Sequence, residues 1–190
     1  MSDRGANVSE NLVMEPAMLP DPLHPAVIHF PIVLSFLLPV AALAAIWRIR
    51  HGAPVLRAWA VSTAVAAALT VSTWVSVRTG EADEERIEDV VPASQLDAHE
   101  EAAERFLVLS VIVLAVTGVG LLGGPAGSVA RLSSALGATG LVAAGALVGH
   151  SGGQLVYRHG AAAAYTAQAP DGANAAAMLR AGEREQGDED

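Results

Sequence analysis

Cysteine is absent from the chain's 190 residues. Disulfides, iron–sulfur clusters, thiolate metal sites and covalent c-type haem attachment are therefore excluded. Lysine is absent too, so all 11 basic residues are arginine. With the heavy use of Ala and Val, this reads as the mark of a GC-rich genome rather than a functional choice. Charge is scarce: 16% of residues are charged against 52% hydrophobic, which is low for a soluble domain. The net charge of −9 excludes nucleic acid as a partner, because phosphates need a basic face to bind. No nucleophile elbow, phosphate loop or His-Glu-X-X-His zinc motif occurs, so the enzyme classes built on them are excluded and no catalytic residue is assigned. The chain opens without a basic region followed by an apolar run, so no secretory leader is expected. The first apolar segment then has to act as its own anchor.

What the chain has instead is four long apolar runs, at about residues 26–47, 56–77, 106–122 and 132–148. None carries Asp, Glu, Lys or Arg in its interior. A span needs roughly 20 mostly apolar residues, and a soluble bundle would keep a polar stripe on each helix. The expected fold is an all-α, integral-membrane, antiparallel four-helix bundle over residues 23–160, made of two helical hairpins. Residues 1–22 read as a flexible N-terminal segment and 161–190 as a flexible acidic C-terminal tail. Short turns rich in Gly and Pro join the first two spans and the last two. The longer connection between them carries Glu81, Asp83, Glu84, Glu85, Glu88, Asp89, Asp97, Glu100, Glu101 and Glu104. The short turns hold Arg48, Arg50, Arg57 and Arg131 and no acid. The positive-inside rule puts them in the cytoplasm, with both termini and the acidic connection outside a bacterial inner membrane. Trp47, Trp59 and Trp74 stand near span ends, as interfacial anchors would.

Five of the six histidines fall on the outer side: His24, His29, His99, His150 and His159. Only His51 belongs to a cytoplasmic turn. His29 lies one turn into an apolar span that starts at Pro25, and an imidazole there marks a functional site by default. His150 is flanked by Gly149, Gly152 and Gly153, which would leave volume for a flat cofactor or for close helix packing. His99 shares a stripe with Ala103, Phe106, Ser110, Val113, Thr117 and Gly120, so it is expected to face the bundle interior. Ser94 and Asp97 fit a capping box that would start the third helix. Glu81, just after Thr79 and Gly80, is the carboxylate nearest the cluster. His24, His51 and His159 read as polar interface residues rather than ligands.

These motifs resemble a known family. They are His24-Pro-Ala-Val-Ile-His-Phe-Pro-Ile32, Thr79 and Gly80 with Glu81, His99 before the third span, and Gly149-His-Ser-Gly-Gly-Gln-Leu-Val-Tyr-Arg-His-Gly160. Together they look like the predicted membrane proteins catalogued as domain of unknown function 2231, over roughly Leu23 to Gly160. The resemblance implies four membrane helices. Relatives fused to Rieske-type or cytochrome c-type modules imply redox company, which here would be a separate protein.

The leading expectation is a membrane redox protein that binds haem b through His29 and His150, with His99 as third candidate or as hydrogen-bond partner of a propionate or a ligand imidazole. Two axial imidazoles from facing helices satisfy haem iron. The alternatives are a non-haem metal or proton/ion transport site, with His29, His150, His99 and Glu81 as ligands, and a cofactor-free structural membrane subunit. The topology makes its own prediction: a reporter enzyme fused after Asp190 is active outside the cytoplasm.

Overall fold

The computed structural model describes residues 23–84, 87, 88 and 90–162. The expected N-terminal segment and the tail from residue 163 lie outside them. The described chain runs α1 (His24–Val27), α2 (His29–Arg50), α3 (Val55–Glu84), α4 (Ala93–Val119) and α5 (Gly124–Tyr157). Four stretches are long and apolar enough to cross a membrane: His24–Arg50, Val55–Glu84, Ala93–Val119 and Gly124–Tyr157. α2 pairs with α3 and α4 with α5 as antiparallel hairpins; α3 then packs on α4, and α2 closes on α5.

The break between α1 and α2 has a local cause. Pro31 has no N–H to give to the carbonyl of Val27, and Ile28 is a turn residue between the two helices. α1 leans on α3 as well as α2. α4 begins one residue before the expected Ser94, but its N-cap is Pro92 and no side chain caps it; the capping box is not formed.

Each long helix buries one seam at alternating three- and four-residue steps. On α2 it is Pro31, Ser35, Leu38, Ala42 and Ala45. On α3 it runs from Trp59 through Ser62, Ala66, Leu69 and Thr73 to Ser76. On α4 it contains Phe106, Ser110, Val113 and Thr117, on the stripe anticipated for His99. On α5 it includes Arg131, Ser134, Ala138 and Leu141. That spacing produces near-antiparallel packing with a slight left-handed twist. Many large apolar side chains point the other way: Phe30, Val33, Phe36, Val40, Leu136 and Leu147 are all exposed. Small and hydroxyl-bearing residues inside with bulky ones outside is the pattern of helices packed in lipid.

Most buried hydroxyls, such as Ser35, Thr73 and Ser110, donate to carbonyls of their own helix, and one pair meets across the α4–α5 seam. Thr117 Oγ1 donates to the Val113 carbonyl at 2.6 Å, so Ser134 Oγ, 2.5 Å away, is the donor between the two hydroxyls. Trp47 and Trp74 are 61% and 55% exposed, as boundary anchors would be, but Trp59 is 0% exposed. Its indole Nε1 donates to the Thr117 carbonyl at 2.8 Å. Trp59 is thus a wedge between hairpins, not an interfacial anchor. Arg131 departs from expectation too. It is 7% exposed, because residues 124–131 belong to α5 rather than to the turn. Its guanidinium donates to the carbonyls of Gly120 and Leu122 at 2.6 and 3.0 Å. Those are open carbonyls at the end of α4, where the helix dipole favours a cation.

Gly120 makes room for this packing. A Cβ there would stand 2.4 Å from Trp59 Nε1, whereas one at Gly118 would meet nothing within 4 Å. Gly120→Ala should therefore destabilise the bundle by about 1–3 kcal/mol. Gly118→Ala should stay within roughly 0.5 kcal/mol of the parent. Unfolding in mixed detergent, followed by circular dichroism, measures both.

Candidate functional site

The connection between α3 and α4 brings the N-terminus of α1, the C-terminus of α3, the start of α4 and the end of α5 to one end of the bundle. The acidic residues gather there. Ile87, Val91, Leu96, Leu155 and Ala161 form a small apolar cluster at that end.

Two half-buried imidazoles occupy this end, and each is built in the same way. His24 Nδ1 lies 2.9 Å from the Ser76 carbonyl and 3.3 Å from Thr79 Oγ1. A carbonyl oxygen only accepts, so Nδ1 carries the proton and Nε2 keeps its lone pair. The ring rests against Gly80, where a Cβ would stand 3.2 Å from His24 Cε1. His99 Nδ1 lies 2.8 Å from Ser151 Oγ. That hydroxyl spends its own proton on the Val148 carbonyl at 2.9 Å, so it accepts from His99, and again Nε2 is left bare. The ring rests against Gly152, with 3.1 Å from His99 Cε1 to the position of an added Cβ. In each hairpin the first arm supplies the histidine, and the second arm supplies an oxygen and a glycine. The two imidazoles stand near each other at this end, one on α1 and the other on α4.

Asp83, one turn beyond Gly80 on α3, also acts electrostatically on His24. Its Oδ2 is buried and makes no hydrogen bond. The expected carboxylate, Glu81, is instead held by Arg78 at 2.6 Å and is partly exposed. Arg105 pairs with Glu101 in the same manner on α4.

The pairing expected between His29 and His150 is not what the fold brings together. Both are exposed. His29 Nδ1 turns back to the Ala26 carbonyl at 3.3 Å, and His150 Nε2 is taken by Gln154 at 2.7 Å. The physical reason is phase. The buried seam of α2 runs back from Pro31 through Ile28 to His24, leaving His29 on the other side. The seam of α5 passes through Gly152 and Leu155, leaving His150 outside. Of the glycines expected at a cofactor, only Gly152 abuts an imidazole; an added Cβ at Gly149 or Gly153 would meet nothing within 4 Å. Among the described residues no three His, Cys, Asp or Glu side chains are placed to hold a metal ion, so the set His29, His99, His150 and Glu81 is not assembled. His51 is exposed in its turn, bonded to the Trp47 carbonyl at 2.8 Å. His159 is half-buried beyond the end of α5.

The bonding pattern can be checked directly. Ser151→Ala removes the acceptor of His99, at a cost of about 1 kcal/mol. The Nδ1–H tautomer should then lose its dominance at His99 and persist at His24, read from imidazole 15N shifts of labelled protein.

No curated protein and no solved structure matches the chain. The family described as "Predicted membrane protein (DUF2231)" matches residues 20–164, which takes in all four long helices and both imidazoles. The chain is a multi-pass membrane protein and belongs to the DUF2231 family.

Proposed function

We propose that this protein holds a redox-active transition-metal centre at the outer face of a bacterial inner membrane, with His24 and His99 as its imidazole ligands. One observation carries the reading. Both rings give their Nδ1–H to a fixed oxygen and leave Nε2 as an unprotonated lone pair, the state in which imidazole ligates a metal. Haem b is the form of the centre that suits two imidazoles from facing hairpins; bound there, its iron would carry one electron. Gly80 and Gly152 give the rings space to settle. The electron would pass to or from a separate soluble protein, of the cytochrome c or Rieske type, that approaches the outer face.

A second reading, a non-haem transition-metal ion on the same two Nε2 atoms with water completing its shell, is favoured by Asp83. A buried carboxylate oxygen without a partner is costly, and a nearby cation would offset that cost.

The test is the absorption spectrum and the metal content of full-length protein purified from haem- and metal-replete cells. A Soret band with low-spin reduced bands is expected, and it should be lost in His24→Ala and His99→Ala but kept in His29→Ala, His51→Ala and His150→Ala. Stoichiometric metal without a Soret band, lost in the same two variants, selects the second reading. Neither haem nor metal, or a centre that survives both substitutions, overturns the proposal and leaves a structural membrane subunit.

A further inference from the structure

The exposed face of α5 carries a feature independent of the imidazole pair. Gly149, His150, Gly153, Gln154, Tyr157 and Arg158 line an open groove of about 320 Å³. The two glycines form its floor, where an added Cβ would meet nothing within 4 Å. Gln154 Nε2 lies 2.7 Å from His150 Nε2. An amide N–H only donates, so this bond occupies the ring's lone pair and leaves His150 Nδ1–H as a donor. Tyr157 is 89% exposed, with its hydroxyl free to reach the same space. Arg158 adds a permanent cation, and among the described residues no acidic side chain lines the groove, although this end of the molecule is otherwise acidic.

Depth matters as much as charge. A hydrocarbon core takes up about 20 residues of a helix. With the apolar run ending at Val148 inside it, Gly149 to Arg158 stand at headgroup level. On the same face, toward the membrane centre, Leu147, Ala143, Gly140 and Leu136 follow at steps of three and four, all exposed. One continuous stripe is therefore apolar where acyl chains run and rich in donors where phosphates lie.

We propose that this groove binds a phospholipid with a net negative headgroup, its phosphodiester on Arg158 and His150 and an acyl chain along the stripe down to Leu136. A polar pair such as His150 and Gln154 on the membrane-facing surface then has a ligand, and the glycine floor lets the headgroup approach the helix. An arginine and an imidazole N–H give a phosphodiester a charge-assisted contact and a second donor.

Native mass spectrometry of the detergent-solubilised full chain tests it, with phosphatidylglycerol as the probe and diacylglycerol as the phosphate-free control. One phosphatidylglycerol per chain should be retained and diacylglycerol should not. Arg158→Gln should weaken retention about five-fold, and Gly153→Leu, which fills the floor, should abolish it. Arg158 is exposed and a Cβ at Gly153 would meet nothing within 4 Å, so circular dichroism should show the bundle unchanged. Equal retention of the two probes, or phosphatidylglycerol binding untouched by both substitutions, overturns the assignment. So does a dimer that excludes the lipid, or displacement of the lipid by a quinone at equal concentration, since either would make another occupant the owner of the groove.

Discussion

In a bilayer, apolar surface gains nothing by turning inward, because lipid tails are as apolar as leucine. Everything about this bundle follows from that constraint. The helices are held by close approach and by hydrogen bonds, so the seams are rich in Ala, Ser and Thr around a few large residues such as Leu38, Leu69 and Phe106, while many Phe, Val and Leu side chains face out. Close approach in turn brings polar groups inside, where an unpaired one is costly. Trp59 and Thr117, Thr117 and Ser134, and Arg131 with the end of α4 are the results. The two imidazoles obey the same rule. Each lies against a glycine and gives its one N–H to a neighbouring helix, and only a ring so constrained presents a lone pair in a fixed direction.

The four helices were legible from composition alone, because length and the absence of charge are properties of each run by itself. Packing phase was not. A soluble helix marks its inner face with hydrophobicity, but here both faces are apolar, so the mark is side-chain size. Read by size, the seam from Ala45 to Pro31 extends through Ile28 to His24, and the seam of α3 extends from Ser76 through Gly80 to Asp83. Both residues could have been found in this way. Reading for apolar surroundings favours His29 instead, which is embedded in bulky residues because it faces away from the bundle. His99 was placed correctly because its stripe, with Ser110, Thr117 and Gly120, is visibly small. The acceptors Ser76 and Ser151 were out of reach of any sequence argument: the first acts through its backbone and the second depends on the register of α5 against α4.

The proposed centre and the lipid groove lie at the same end of the molecule but draw on different parts of α5. Gly152 and Ser151 look inward to His99, whereas Gly149, His150 and Gly153 look outward. A glycine-rich turn of helix can serve two neighbours because it presents so little of itself to either. This explains why the sequence around His150 reads as a single motif while the structure divides it into two.

The two ends of the bundle also differ mechanically. At the arginine end the hairpin turns are short, an indole is driven between the hairpins, and a guanidinium ties α5 to the last carbonyls of α4. At the other end the helices outrun the hydrocarbon and are joined by the long acidic connection, with a small cluster of five buried apolar side chains among the described residues as cover. An end tied by an indole and a guanidinium resists separation of the hairpins more than one covered by a small apolar cluster, so a change in the spacing of His24 and His99 meets less resistance than any change at the arginine end.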